Sequence, residues 1–507
     1  MPRGSLAACD AASRGHVKIR REVACLVLLG ILAPVRLAAE NAPAAELPAW
    51  LAEQTRTLSD EQRAFLLSEE AEGFTGTREK LYQRLRNKSP EEIAAYVDGM
   101  MTVVQDRKFN PATDMASIPL NTESPEFNSW KVRRPPSLNP QREPGPFSLS
   151  YYADAWRSGI ATFASAPVAI YAEDLVAGKV DVAIVGAPLD MGSYYRGAKF
   201  GPQAMRNEDG ADGNDMYTMV DPSEVLTIVD YGDITVDNMS TERTVQHVRE
   251  RVAEIARTGA IPFVVGGDHS LEYPNIAGLA DVHGKGSFGI VHFDSHYDAA
   301  GARDHFITHG QPVYRAIKEG HVLGSHFVQV GLRGNWPSPE GFEWMRNNGL
   351  RYHTMAEVEK HGWDAVMKRA LAEARENGRK LYVSFDVDVL DPAFVPGTGT
   401  PVPGGLTMRE ALPIVRGLCA QNELVGFDIV ELAPNLDSTY RSALNANHIL
   451  HACLTGVAMR KQGITDPGFL AELATEHMQP AAGQQAARDG KAEKVEPTYG
   501  TGIGPRN

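Results

Sequence analysis

An apolar run gives way to alternating polar side chains in the sequence VHFDSHYD, residues 291–298. In an extended strand, successive side chains point to opposite faces, so Asp294, His296 and Asp298 are expected to share one face. Charged groups at the end of a buried strand are costly to desolvate, and a bound cation offsets that cost. The stretch therefore predicts a buried strand that ends in part of a metal site.

Ligand-type residues also follow two other apolar runs. FVVGGDHS, residues 263–270, passes through a diglycine turn, which lets the backbone bend sharply and places His269 at the sheet edge. SFDVDVLDP, residues 384–392, carries Asp386 and Asp388 two positions apart and so on one face of a strand. With the first stretch, these residues supply two imidazoles and four carboxylates, whose negative charge matches two divalent cations.

The part of the chain around these motifs alternates short apolar runs with helical stretches. Apolar strands that alternate with helices predict a parallel sheet covered on both faces, whose ligands bind beyond the carboxyl ends of the strands. One intervening helix is clearly delimited, with Ser240 as its cap and Gly259 as its stop. The seven predicted strands span residues 180–186, 225–231, 261–266, 287–294, 327–332, 381–386 and 424–429.

The ligand set discriminates between metals. Carboxylates and imidazoles without a thiolate favour Mn²⁺, with Ni²⁺, Co²⁺ or Fe²⁺ as alternatives, over a structural zinc ion. A carboxylate-bridged metal pair lowers the pKa of the water that it binds into the neutral range. The residues alone thus predict a hydrolase with two metal ions.

Composition bounds the class of protein and its partners. The 507 residues allow one large domain of roughly 250 to 300 residues with extensions. A formal net charge of −14 argues against a nucleic-acid partner and is compatible with a cationic small molecule. Of the four cysteines, Cys9 and Cys25 fall in the N-terminal leader. Cys419 and Cys453 are expected to be buried thiols in helices, with a bridge between them as the alternative.

Residues 1–40 have the character of a leader. Lys18, Arg20 and Arg21 precede an apolar run of about 13 residues, which is too short for a transmembrane helix and typical of a signal-peptide core. Export, for example to a periplasm, is the favoured location, and a mitochondrial or cytoplasmic location is the alternative. We expect no stable membrane span.

The remaining chain divides into three predicted parts. Residues 41–164 are predicted to form a helical extension and a proline-rich linker, for which a role in packing or oligomerisation is our hypothesis. Residues 165–465 carry all the ligand-type motifs and are predicted to form the catalytic domain. Residues 466–507, rich in Ala, Gly, Gln, Lys and Pro towards their end, are predicted to be largely disordered.

Three motifs, in this order along the chain, carry a resemblance to a known family. GGDHS at 266–270, DxHxD at 294–298, and SFDVDxxDP with PGTGTP at 384–401 look like the signatures of the ureohydrolases, the arginase and agmatinase family. The resemblance covers roughly residues 165–460 and is closer to the agmatinase branch. It implies a three-layer α/β/α sandwich with a mainly parallel sheet, two Mn²⁺ ions per subunit, and a homo-oligomer, either a trimer or a hexamer.

The resemblance also implies roles for individual residues. His309 matches the family's proton-shuttle histidine, and Glu431 matches the carboxylate that holds the substrate's guanidinium, so both are expected to bind substrate. A planar cation needs a bidentate anion to orient it, and a departing amine needs a proton. Asp298 is expected to orient the attacking water as well as to bind metal. The residues that match metal ligands are His269, Asp294, His296, Asp298, Asp386 and Asp388.

The implied reaction is the release of urea from a guanidino compound by a metal-dependent amidinohydrolase. Agmatine, which would give putrescine, is the leading substrate. Guanidinobutyrate, guanidinopropionate and guanidine are alternatives, as is formiminoglutamate, which gives a different product. A non-catalytic subunit is the alternative from another functional class.

Departures from the family pattern leave the substrate open. Ser295 and Tyr297 stand where relatives commonly have Ala and a smaller residue such as Thr. Asp304 and His305 lie in a segment that is expected to contact the far end of the substrate, and Trp336 is expected to line the same mouth.

Overall fold

A computed structural model describes six ranges of the chain, residues 47–108, 132–151, 159–238, 240–301, 307–376 and 380–476. The predicted leader with Cys9 and Cys25, the middle of the linker, the last 31 residues, and Asp304 with His305 lie outside these ranges.

One eight-stranded sheet forms the centre of the catalytic part, in the order β2-β1-β3-β8-β7-β4-β5-β6. Every neighbouring pair is parallel, which confirms the predicted sheet. The strands are β1 Val182–Ala187, β2 Ile228–Asp233, β3 Ile261–Gly266, β4 Phe288–Phe293, β5 Phe327–Leu332, β6 Arg351–Thr354, β7 Lys380–Asp386 and β8 Leu424–Val430.

The strand prediction missed β6 and misplaced the start of β2. Strand β6, Arg351–Thr354, lies at the edge of the sheet beside β5 alone, so its sequence RYHT is only partly buried and contains no apolar run. Strand β2 begins at Ile228, because the preceding residues Pro222–Val225 form a short helix capped by Asp221.

Helices cover both faces of the sheet, which confirms the three-layer sandwich. Ile184 and Phe385 belong to one buried cluster, and Val185 and Tyr382, on the same two strands, belong to a second. Among the described helices, none combines the length and the apolar character needed to cross a membrane. The helices are α1 Ala49–Gln54, α2 Asp60–Leu66, α3 Glu69–Gly73, α4 Arg78–Leu85, α5 Pro90–Arg107, α6 Ala172–Ala177, α7 Gly201–Asn207, α8 Pro222–Val225, α9 Thr241–Arg257, α10 Glu272–His283, α11 Pro312–Lys318, α12 Pro339–Asn347, α13 Met355–His361, α14 Trp363–Ala374, α15 Met408–Gln421, α16 Arg441–Lys461 and α17 Glu472–Thr475.

The helix expected after Ser240 is α9, Thr241–Arg257. The Ser240 side chain accepts a hydrogen bond from the backbone N–H of Arg243, which satisfies one of the unpaired donors at the helix start. Val248 and Val252 lie one turn apart and are buried against the sheet. The helical spacing therefore identified both the helix and its buried face.

Helices α1 to α5 form a small helical unit with its own apolar core, which confirms the predicted N-terminal helical extension. Leu138, in the segment that leads to the sheet, is buried in this core. The same segment contacts the sheet domain, where the Tyr171 hydroxyl donates to the carbonyl of Arg134 over 2.9 Å. Residues around 132–147 thus join the two units, and the domain boundaries at residues 40, 164 and 465 stay predictions.

The prediction of two free thiols was wrong, because Cys419 of α15 and Cys453 of α16 form a disulfide. The two helices pack closely: a Cβ at Gly456 of α16 would lie 2.4 Å from the carbonyl oxygen of Arg416. Because Gly456 has no side chain, the two helices can approach each other closely. The Cα atoms of the two cysteines are 5.5 Å apart, within the range that a disulfide spans.

Reduction of this disulfide is expected to lower the free energy of unfolding by about 4 kcal/mol, because it frees a loop of 34 residues in the unfolded chain. Differential scanning calorimetry with and without reductant measures the change. The Cys419→Ala/Cys453→Ala variant should melt at a lower temperature and show no response to reductant. A wild-type melting temperature that is unchanged after full reduction would contradict the expectation.

Candidate metal centre and active site

The carboxyl ends of four adjacent strands meet in the middle of the sheet, in the order β3-β8-β7-β4. His269 follows β3, Glu431 follows β8, Asp386 ends β7, and Asp294 follows β4. The predicted site residues therefore converge at one edge although they are up to about 160 positions apart in sequence. This is the edge where open parallel α/β sheets bind their ligands.

A first cluster of ligand atoms surrounds His269. Its Nδ1 lies 3.0 Å from Asp294 Oδ2, 3.2 Å from Asp298 Oδ2 and 3.1 Å from Asp386 Oδ2. All four side chains are buried. Three carboxylate oxygens thus surround one imidazole nitrogen.

A second cluster lies beside the first. His296 Nδ1 is 3.4 Å from Asp294 Oδ1 and 3.0 Å from Asp388 Oδ2. The two clusters share Asp294, which directs one carboxylate oxygen into each. This arrangement provides two adjacent positions for cations joined by a common carboxylate.

The chemistry of these atoms fits two divalent cations. Asp294 Oδ2 and His269 Nδ1 are buried, and neither has a hydrogen-bond partner among the described residues. Burial and the charge of Asp294 raise the pKa of Asp298 to about 6, and burial and Asp388 raise that of Asp386. Such shifts mark carboxylates that lack a compensating positive charge. Oxygen and imidazole donors without a thiolate suit Mn²⁺ and similar ions.

Asp386 ends strand β7, but the other five ligand residues lie beyond the strands, so the prediction that Asp294, His296 and Asp298 share the face of an extended strand was wrong. Asp298 adopts a left-handed backbone conformation with φ of 43°. The His296 N–H donates to Asp294 Oδ1 over 2.6 Å, and the Asp388 N–H donates to Asp386 Oδ1 over 2.8 Å. Tight turns, and not extended strands, direct these side chains to one point.

The diglycine after β3 serves a different purpose from the sharp bend that the sequence suggested. Neither Gly266 nor Gly267 has a positive φ. A Cβ on Gly267 would lie 2.0 Å from the Leu189 carbonyl oxygen, and a Cβ on Gly266 would lie 2.6 Å from a methyl carbon of Val430. The two glycines therefore let neighbouring backbone approach the segment that carries His269.

Glu431 and His309 form a pair at the edge of the first cluster. Glu431 Oε1 accepts hydrogen bonds from the His269 backbone N–H over 2.8 Å and from His309 Nδ1 over 3.0 Å. Burial lowers the pKa of His309, but the hydrogen bond to Glu431 and the negative charge of Glu431 have a larger effect and raise this pKa to about 9. His309 is therefore positively charged at neutral pH.

A cavity of about 330 Å³ opens above the two clusters. His296, Asp298, Asp386 and His309 line it, whereas Glu431 lies directly behind His309 and is not part of the wall. The outer wall is aromatic and polar but carries no lysine or arginine among the described lining residues. It consists of Tyr194, Ala300, Thr308, Gly310, Gln311, Trp336 and Thr400.

The unusual Tyr297 helps to shape this wall. Its ring meets Trp336 edge-on, with the ring centres 4.2 Å apart. Tyr297 is buried, so it supports Trp336 from behind and does not itself enter the cavity. The second departure, Ser295, donates a hydrogen bond to Asp388 Oδ1 over 2.7 Å and so helps to hold a ligand carboxylate.

Several buried partners of the ligands were not identified from the sequence. Ser384 Oγ lies 3.0 Å from His269 Nε2 and donates to Asp428 over 2.7 Å. Glu272 Oε1 lies 3.0 Å from His292 Nδ1. The sequence did contain hints of this contact. Glu272 is a charged residue within a buried helix, and His292 precedes Asp294 by two positions on a strand.

Comparison with known proteins gives a consistent result. A model of the arginase family matches residues 180–456, more than half of the chain. Mitochondrial agmatinase of Gallus gallus is 36% identical over 301 residues, covering 58% of this chain and 85% of that protein. Guanidinobutyrase of Pseudomonas aeruginosa is 35% identical over 304 residues, covering 58% and 92%. The structure of proclavaminate amidino hydrolase from Streptomyces clavuligerus superimposes with a TM-score of 0.53 and 31% identity, covering 60% and 98%.

Proposed function

The chain belongs to the arginase family, and on that premise we propose that it is a binuclear manganese amidinohydrolase that releases urea from a guanidino compound, with agmatine as the leading substrate. The observation that carries the proposal is the pair of ligand clusters that share Asp294 at the base of the cavity. The intact set of six ligand residues argues against a non-catalytic subunit.

Two cations would be held by the two clusters. His269, Asp298 and Asp386 would bind one, His296 and Asp388 the other, and Asp294 both. When bound, such a pair supplies a water molecule whose pKa is lowered into the neutral range. The proposal of manganese, with nickel or cobalt as alternatives, rests on the oxygen and imidazole donors.

The side chains around the clusters would orient the substrate and move a proton. Glu431 is proposed to bind the guanidinium, since a carboxylate matches its planar geometry. It lies beside the cavity and not in its wall, so this contact requires the substrate to reach past His309. The water, oriented by Asp298, would give up a proton to that carboxylate as its oxygen bonds to the guanidinium carbon. The bond from this carbon to the departing amine nitrogen then breaks. His309 supplies the proton that the amine needs, because its Nδ1 is engaged by Glu431 and its other ring nitrogen is left to donate.

The described part of the cavity wall presents aromatic side chains. The indole of Trp336 and the ring of Tyr194 offer aromatic faces that attract cations such as the ammonium group of agmatine. No lysine or arginine among the described lining residues would pair with the carboxylate of guanidinobutyrate or guanidinopropionate. The names of the two curated relatives include both kinds of substrate, so the wall is our reason for placing agmatine first.

A substrate panel tests the proposed function. The purified chain, loaded with Mn²⁺, is assayed for urea with agmatine, guanidinobutyrate, guanidinopropionate, guanidine and formiminoglutamate. We expect agmatine to give the highest kcat/KM, with one putrescine per urea. Loading with Ni²⁺ or Co²⁺ after chelation compares the metals. A higher kcat/KM for a guanidino acid would overturn the substrate assignment, and activity on formiminoglutamate alone would overturn the urea-releasing reaction.

Location and assembly are separate proposals. We propose that the chain is exported, and the buried disulfide supports this because such bonds persist in oxidising compartments. We also propose a trimer or a hexamer on the basis of the family resemblance. Cell fractionation and light scattering on the purified protein measure these two properties.

A further inference from the structure

A second layer of buried charged side chains lies behind the metal ligands and has no part in the reaction described above. Glu272 begins α10, three residues after His269, and His292 lies on β4, two residues before Asp294. Both Glu272 and His292 are 0% exposed. A fully buried glutamate is costly to desolvate unless a partner compensates its charge. The placement of Glu272 therefore calls for an explanation.

Glu272 reaches the metal ligands in two ways: its Oε2 lies 3.8 Å from His269 Nε2, and its other oxygen makes a shorter contact with His292. Glu272 Oε1 lies 3.0 Å from His292 Nδ1, and His292 Nε2 lies 3.2 Å from Asp294 Oδ2. The His292 ring stacks on the His269 ring, with centres 4.8 Å apart and planes inclined by 7°. Glu272 thus holds the His292 ring at Nδ1, and His269 packs against its face. The other ring nitrogen, Nε2, faces Asp294.

Asp294 is the carboxylate whose position matters most to the centre, because its two oxygens face the two ligand clusters. The other conspicuous outer contact, from Ser384 and Asp428, reaches His269 and not Asp294. Outer-shell partners orient metal ligands and tune their affinity. His292 Nε2 approaches Asp294 Oδ2 to 3.2 Å from the side away from the second cluster, and Glu272 holds the opposite nitrogen of the His292 ring.

We propose that Glu272 is a positioning residue that acts through His292 to fix the Asp294 carboxylate and thereby sets the affinity of both metal positions. The inference rests on the metal centre of the proposed function. It assigns Glu272 no contact with substrate and no role in proton transfer.

The Glu272→Gln variant tests the proposal, since it keeps the shape of the side chain and removes its charge. Calorimetric titration of the metal-free protein with Mn²⁺, without substrate, is expected to show a Kd raised about tenfold to a hundredfold at both positions. Asp230→Asn is the matched control. Asp230 is another buried carboxylate, paired with Arg206 at 2.7 Å on the edge strand β2, and its loss should lower stability but leave the Mn²⁺ affinity unchanged.

A double-mutant cycle separates a positioning role from a structural one. Asparagine at position 292 is too short to connect Glu272 with Asp294. In the His292→Asn background, Glu272→Gln should therefore change the Mn²⁺ affinity less than twofold. The same loss with and without His292, or wild-type affinity in Glu272→Gln alone, would overturn the proposal. If His292→Asn does not fold, the comparison of Glu272→Gln with Asp230→Asn still shows whether the loss of Mn²⁺ affinity is specific to Glu272.

The same titration distinguishes failure of this inference from failure of the proposed function. A wild-type chain that binds no Mn²⁺ would overturn the manganese centre and the inference together. A wild-type chain that binds Mn²⁺ while Glu272→Gln binds it equally well would overturn the inference alone.

Discussion

The Asp386→Asn variant is expected to lose most of its bound metal and to release urea at least roughly a thousandfold more slowly than the wild type. Asp386 Oδ2 lies in the first cluster, 3.1 Å from His269 Nδ1. The substitution replaces an anionic oxygen by a neutral amide, so the loss should exceed the tenfold to hundredfold that follows the removal of an outer-shell partner. Metal analysis after dialysis and a urea assay on the same preparation measure both effects.

Asp391→Asn is the matched control for this experiment. Asp391 lies five residues further along the chain, where it accepts hydrogen bonds from the backbone N–H groups of Ala393 and Gly404 and has no contact with the clusters. The single oxygen of asparagine can accept only one of these hydrogen bonds, so the loop should lose some stability. Metal content and turnover should nevertheless stay close to those of the wild type, because Asp391 does not contribute to either cluster. Asp386→Asn that retained both metals and full activity would show that the ligand assignment is wrong.

The Glu431→Gln variant is expected to lose about a hundredfold or more in kcat/KM while it retains its metals. Removal of one partner from a desolvated charge pair costs about 2 to 5 kcal/mol, which corresponds to losses between roughly thirtyfold and several thousandfold. Glu431 is 1% exposed and contacts His309 as well as the His269 backbone. Steady-state kinetics at saturating Mn²⁺ give kcat and KM separately. A rise in KM would indicate direct contact with the guanidinium, and kinetics like those of the wild type would exclude any role.

The pH profile of Glu431→Gln provides a second measurement. Burial lowers the pKa of His309 and Glu431 raises it, with a net value of about 9. Without the Glu431 charge, the pKa of His309 should fall. A histidine that donates a proton must be protonated, so its contribution is lost as the pH rises through its pKa. The alkaline decline of kcat is therefore expected at a lower pH in Glu431→Gln than in the wild type.

Sequence patterns predicted the sheet, and they singled out the six candidate metal ligands, for a physical reason. Buried parallel strands need continuous apolar runs, and strand-end carboxylates stand out against such runs. The six ligand residues follow or end strands β3, β4 and β7, so each was visible in its local context. Their convergence required only the rule that parallel strands place their carboxyl ends at one edge.

Other features depend on contacts that no local pattern records. Strand β6 is stabilised by pairing with β5 and lacks an apolar run. The disulfide forms because Gly456 lets α15 and α16 approach, a property of two helices 20 residues apart in sequence. The contact of Glu272 with His292 joins a helix to a strand. Each of these features follows from tertiary packing.

The central claim is that two metal ions bound at the shared Asp294 support the release of urea. Its most direct test is the rate of urea release from agmatine by the metal-free chain as Mn²⁺ is added in known amounts. The rate should rise with added metal and reach a plateau at about two ions per chain, the number that a carboxylate-bridged pair requires. A rate that is independent of metal, or no urea at any ratio of metal to protein, would contradict the claim.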